Sequence, residues 1–561
     1  MWKRAVVFLC RSTVFITTIT ESVIISEKPA ETETRLPPTG HGNMLIINAN
    51  LYTGTRFAEA VLIRNGIVEC AGDNTTILRA AGDDAGIIRL DAGGSLVLPG
   101  LTDAHMHLVE TGTELLMGQL RNFRSIREMV EGMRERCAGL PFLISGGWDE
   151  ENFTEHRLPD RHDLDMISSD RPVMLFRFCH HVVSVNSFVI EKCGLEHAKD
   201  IPGGIIRRDG SGSPTGILLD RAIEYVGELR KELLSTIAED AVIKATDYAL
   251  SRGLTTLMPL DSDSVELNTC RNLAARNELK CRLRLFLSEV DFSALRSEDI
   301  TNGMDSMLRV CGVKLFADGS FGGRTALLSA PYEDDDTTGL RLTGEKEIVR
   351  LMHLAMERGM MVAAHAIGDR AIEEVLIAAR KAGITGKKLR LEHAALTPPH
   401  VLQLIGSLRP AVVVQPHFLV GDWWLPARLG ERCSDCYLFH TFVEMGLNPV
   451  GSSDSPVEPL DPWTGMLCAV DRGKHAGVKI AEMTAGEAVD AETAVRMYTA
   501  WSGAASGEQG IIGMLEPGSY GDVVIMDEKS IEAAIRRPAV LLTAVAGHIV
   551  YRSAGCIMNV C

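Results

Sequence analysis

The chain has 561 residues, 46 % of them hydrophobic, enough to fill a large core and typical of a globular protein. A formal net charge of -17 argues against non-specific binding to nucleic acid, whose phosphates it repels, and offers an anionic membrane no basic patch. The partner to expect is therefore a small molecule, with no nucleic acid and no membrane, and a homodimer is compatible with that reading.

At the start, AVVFLCRSTVFITTITESVII has the look of a signal segment, but Arg11 and Glu21 interrupt it. No apolar run there reaches the roughly 20 residues that span a bilayer, and no small-residue cleavage site follows. Residues 1–43 are read as a disordered extension or a mis-assigned start, with Met44 as the alternative first residue. From Met44 to Leu98 the chain runs in short β-stretches with turns, MLIINANLY, EAVLIRNGIVECAG and IIRLDAGGSLVLPG. PGSYGDVVIMD and LTAVAGHIVYR near the other end have the same character, so residues 44–98 and 510–552 are expected to share one small β-sandwich domain.

Between them, residues 99–509 alternate short apolar strands with helical stretches. The strand candidates are SLVLPGLTDAHMH, LTTLMPLD, LRLFLSEV, VCGVKLFADGS, MMVAAHAIGD, KLRLEHA, AVVVQPHF and NPVGSSDSP. Eight such units imply an α/β fold built on a (β/α)8 TIM barrel, with chemistry at the carboxyl ends of the strands. The doubly wound alternative lacks its GxGxxG fingerprint after the first strand. The gap between the first two strands is far longer than the roughly 30 residues of a βα unit, and it contains strand-like runs of its own. An inserted subdomain is expected there, at about 140–225.

Polar residues end these strands in a pattern. His105 and His107 stand one residue apart, so on a strand their side chains share a face. Lys314, His365, His393 and Asp454 end later strands. Each alone has a structural explanation: a snorkelling lysine, satisfied core histidines, a turn-forming aspartate. Together on one face of a barrel they are the ligand inventory of a divalent, borderline metal such as zinc. The 13 cysteines are scattered and odd in number, which suits reduced thiols in a cytoplasm. Cys433 and Cys436 have CxxC spacing but no second pair completes a four-thiolate site, so they are read as free cysteines. Trp148, Trp423 and Trp424 either wall an apolar pocket or fill the core, the commoner place for tryptophan.

LPGLTDAHMH resembles the opening HxH motif of the amidohydrolase superfamily. VKLFADGSFGGRTA, HAIGDRA, RLEHA, QPHF and GSSDSPVEPLDPW resemble, in order, later motifs of the amidohydrolase 3 (YtcJ-like) family, which includes N-substituted formamide deformylases. GWDEENF, HVVSVNS and GGIIRRDGSGSPTG are similar to that family's inserted region, and the resemblance runs from Met44 to about Arg552. It implies His105, His107, His365, His393 and Asp454 as metal ligands. Lys314 falls where the superfamily often carries a carboxylated lysine bridging two metals, and two ions rather than one are expected. It further implies that His181, Asp318 and Arg324 approach the substrate, with Arg324 suited to a carboxylate or carbonyl. The implied chemistry is hydrolysis of a carbon–nitrogen bond in a non-peptide amide or formamide, with Asp454 as the proton shuttle. A non-catalytic scaffold with this fold and a metal-dependent lyase or isomerase on the same barrel are the alternatives.

Overall fold

The computed structural model describes residues 42–177, 182–201, 204–296, 307–554 and 556. Eight parallel strands form one sheet in chain order: β1 (Leu101–Met106), β2 (Leu254–Ser262), β3 (Arg282–Leu287), β4 (Leu308–Phe316), β5 (Met361–Ala366), β6 (Leu389–His393), β7 (Ala411–Val414) and β8 (Val450–Gly451). Each coincides with one of the eight stretches that the sequence pattern marks. β1, β3 and β6 are buried at every position, as strands are when they have a barrel interior on one side and helices on the other.

The seam between β8 and β1 closes through backbone just beyond β8. The Asp454 N–H donates to the His105 carbonyl and the His107 N–H to the Ser455 carbonyl, both at 2.7 Å, with a parallel bridge between Met106 and Ser455. The helix that follows β5 is amphipathic. The helix Asp369–Ala382, between β5 and β6, buries Ala371, Ile372, Val375, Leu376 and Ala379 at three- and four-residue spacing and ends at Gly383, left-handed at φ 74°.

Both chain ends contribute to the two sheets at the foot of the barrel. One has the strands Ile67–Gly72, Ala60–Arg64, Met44–Ile47 and Ile88–Asp91. The other has His548–Arg552, Val540–Val545, Val523–Met526, Leu96–Pro99, Asn50–Tyr52 and Phe57–Ala58. Ile46, Val61 and Ile63 pack with Val97, Val523, Ile525 and Leu542 in one cluster, while the alternate residues Leu98, Val524 and Met526 join the barrel core. Period-two alternation thus serves two cores from one sheet. Gly42 is tied to this unit as well, its N–H donating to the Ala546 carbonyl. Two buried ion pairs tie the C-terminal segment to β3, Arg284 with Glu508 (2.7 Å) and Arg282 with Asp522 (2.8 Å).

Between β1 and β2 a separate five-stranded sheet, Gly204–Arg208, Pro214–Asp220, Val182–Val185, Val173–Arg177 and Leu143–Trp148, has its own apolar core. The chain returns to the barrel through the long helix Glu224–Ser251, which packs on Leu108–Met117. Gly112 permits that approach, since a Cβ there would meet the Ala241 carbonyl oxygen at 1.9 Å. Among the described residues no helix is long and apolar enough to cross a membrane.

Candidate active site

The carboxyl ends of β1, β4, β5 and β6 and the segment after β8 converge beneath a cavity of about 670 Å³ lined by His105, His107, Lys314, His365, His393 and Asp454. Asp454 Oδ1 lies 3.1 Å from His105 Nε2 and 3.3 Å from His107 Nε2. Lys314 Nζ is 3.4 Å from His105 Nε2, and the His393 ring centroid is 5.0 Å from that of His105. One donor atom each from His105, His393 and Asp454 fits within 4.8 Å of the others, a group able to hold a metal ion.

The backbone is bent to make this meeting. His393, Ala394 and Asp454 have φ of 70°, 45° and 58°, a left-handed region that non-glycine residues seldom enter. Such conformations persist only where the surrounding structure holds them, and they cluster at functional sites. In β6 the turn frees His393 from strict strand alternation.

The electrostatics follow from burial and proximity. Burial raises the Asp454 pKa, yet His105 and His107 outweigh it and hold this carboxylate well below its usual range. Burial opposes charge on His107, but the neighbouring Asp454 and Glu110 carboxylates prevail and raise its pKa to about 9. Burial, reinforced by the charge on Lys314, lowers His365 to about 3, and burial first of all holds His393 well below its ordinary value. Burial likewise pulls Lys314 down.

Whether a metal suits these residues is tested by what they leave unsatisfied. His393 Nε2 and Asp454 Oδ1 are buried without a hydrogen-bond partner. Buried polar atoms are rarely left so, and an imidazole nitrogen facing a carboxylate oxygen is a donor set that zinc and its neighbours accept. The residues fit a divalent cation.

Not every residue singled out in the sequence joins this group. The His365 ring packs on His393 with centroids 4.4 Å apart, but its Nε2 is 3.0 Å from the Gly319 carbonyl oxygen. Asp318 lines the cavity, yet its carboxylate accepts N–H bonds from Leu327, Ile367 and Gly368, so it ties two other loop segments to its own. Burial pushes its pKa to about 7. Arg324 does not line the cavity, because its guanidinium pairs with Asp334 at 2.7 Å in a partly exposed ion pair. His181 lies outside the described residues. Trp423 and Trp424 line the cavity, whereas Trp148 is core, its indole N–H donating to the Leu175 carbonyl. Cys433 and Cys436 are free and buried, and burial holds the Cys436 thiol well above its ordinary pKa.

Three polar partners of the site escaped the sequence reading: Glu392 beside His105 Nδ1 at 2.8 Å, Arg390 bonded to Glu392, and Gln415 beside His393 Nδ1 at 2.8 Å. The available signal was the pair Arg390 and Glu392, two apart in an otherwise apolar strand, since charges buried there must be paired.

The amidohydrolase family model matches residues 90–551. YtcJ of Bacillus subtilis (strain 168) is 30% identical over 511 residues, 88% of this chain and 96% of that protein. The N-substituted formamide deformylase of Arthrobacter pascens is 27% identical over 548 residues, 91% of this chain and 99% of that protein. The crystal structure of an uncharacterized metal-dependent hydrolase from Pyrococcus horikoshii OT3 has a TM-score of 0.78 and 31% identity, covering 87% of this chain and 98% of that one. With strand-end donors grouped as a metal needs them and a family match along most of its length, the chain belongs to the amidohydrolase family.

Proposed function

We propose that the protein is a metal-dependent hydrolase that cleaves a carbon–nitrogen bond in a small non-peptide amide or formamide, with zinc as its ion. The observation that carries this reading is the group of His105, His393 and Asp454 at the base of the cavity, with two of its donor atoms unsatisfied. His107 and Lys314 extend the donor set, and a carboxylated Lys314 adds the anionic oxygen that a second ion requires. A bound dication supplies Lewis acidity, making water a nucleophile near neutral pH and polarising the carbonyl under attack.

The chain's own groups do the rest. Asp454 is held as a carboxylate, so it accepts a proton from the attacking water at a carboxylate oxygen and returns it to the leaving nitrogen. One water is consumed, and the amide leaves as a carboxylic acid and an amine. Phe316, Phe321, Phe418, Trp423 and Trp424 line the cavity and suit an apolar substituent on the substrate. The N-substituted formamide deformylase among the relatives supports a formyl or small acyl group on the reacting side.

The test is a panel of N-formyl and N-acyl amines offered to zinc-loaded protein, with amine release measured. Release from at least one class is expected. Metal-replete protein that frees amine from none overturns the reading.

A further inference from the structure

Behind the metal-ligand candidates a second set of contacts decides how they face. In β6, Arg390 and Glu392 stand two residues apart on one side of the strand, and neither has any exposure. Arg390 Nε donates to Glu392 Oε1 at 2.7 Å and its Nη2 to Oε2 at 3.1 Å. The guanidinium is itself braced, donating to the carbonyls of Ala104 in β1 (2.6 Å) and Ala505 (3.0 Å). Both Glu392 oxygens therefore act as acceptors, and the ring nitrogen 2.8 Å from Oε2, His105 Nδ1, must carry the hydrogen. His105 Nε2 is the ring nitrogen turned to the cavity, 3.1 Å from Asp454 Oδ1.

His393 is held in the same sense by different chemistry. Its Nδ1 is 2.8 Å from Gln415 Oε1, and the amide's orientation is fixed because Gln415 Nε2 donates to Ser452 Oγ, which in turn donates to the Val414 carbonyl. Both rings present Nε2 inward, one backed by a carboxylate and the other by a neutral amide.

We propose that Glu392, braced by Arg390, is a positioning residue of this site: it holds the His105 ring by its Nδ1–H with Nε2 directed at Asp454 and His393, and so sets the affinity for the metal. This rests on the metal-dependent reading above. A carboxylate present only to neutralise buried Arg390 would support the fold and leave the ring and the ion indifferent to it. Outer partners of ligating histidines typically change metal affinity by about 10–100-fold.

Two measurements decide, and neither needs turnover. In competition between zinc and a calibrated chelator, folded Glu392→Gln should hold zinc about 10–100-fold more weakly than the wild type. In wild-type protein labelled with 15N-histidine and stripped of metal, two-bond proton–nitrogen correlations should show His105 protonated at Nδ1, its signal identified by loss in His105→Asn. The labelled wild type settles the matter even where Glu392→Gln does not fold. A folded Glu392→Gln with unchanged zinc affinity, or a His105 ring with no hydrogen at Nδ1, overturns the proposal. A wild type that takes up no zinc overturns the metal reading and with it the affinity claim, while the ring spectrum separately tests the role of Glu392. Absence of amide hydrolysis beside the expected two results removes only the proposed reaction.

Discussion

Asp454 places its carboxylate between two imidazoles while its backbone N–H helps close the barrel, and these two duties can be separated. Asp454→Asn keeps the backbone bond, the size and much of the polarity, but removes the ability to take a proton. General acid–base assistance is worth about 10²–10⁴-fold, so kcat should fall by at least about 10²-fold while the protein stays folded. A turn-forming aspartate would tolerate asparagine without loss. Measuring kcat on an amide that the wild type hydrolyses, with metal content matched, distinguishes the two. At this scale the sequence showed the donors and concealed their partners. His105, His107 and Asp454 stand out because polar residues interrupt apolar runs. Glu392 did not, because it sits beside His393, and strict alternation would send those neighbours to opposite faces; the left-handed turn at His393 lets both contribute to one site.

Elements were more legible than side chains. All eight barrel strands lie where apolar runs end in polar residues, since a parallel strand buried on both faces has little choice of composition. What could not be read is how helices lean on one another across sequence. Glu266, in the first turn of the helix Ser264–Ala275, accepts from the Val109 N–H at the start of the helix that follows His107, and from Ser262 Oγ. Burial raises its pKa from 4.5 to about 7. The folded state therefore keeps a proton that the unfolded chain loses above about pH 4.5, and stability declines as pH rises from there to about 7. One group with that shift contributes about 3 kcal/mol at most across the window. Glutamine satisfies the same two partners, its oxygen accepting and its amide donating to the hydroxyl. Thermal midpoints at about pH 5 and about pH 8 should thus converge in Glu266→Gln relative to the wild type. A variant with the wild-type difference between the two would show that this carboxyl does not titrate as described.

Across the whole molecule the C-terminal segment is joined to β3 by charge as well as by apolar contact. Arg284 is fully buried and its guanidinium is held by Glu508 through two bonds of 2.7 and 3.0 Å. Removing one member of such a pair leaves the other buried without its counter-ion, at a cost of about 3–5 kcal/mol. Glu508→Gln should lower Tm markedly with KM unchanged, which calorimetry and steady-state kinetics on the same preparation can check. A metal held between strand ends would stabilise the same body from the other side. An ion bound by the folded state alone adds about 2.7 kcal/mol at a concentration of about 100 times its Kd. Chelation should therefore lower Tm and zinc should restore it; a Tm indifferent to both would argue against a resident ion.

The seam at Asp454 also sets an order of events during synthesis. β1 leaves the ribosome with His105 and His107 about 350 residues before the carboxylate they face, and Lys314, His365 and His393 all follow before it. A nascent chain can gather imidazoles, but it has no carboxylate to complete the set until the segment beyond β8 emerges and zips onto β1. The same two backbone bonds finish the barrel and bring Asp454 to His105 and His107, so truncated products that stop short of residue 454 lack both the seam and the carboxylate that faces those imidazoles.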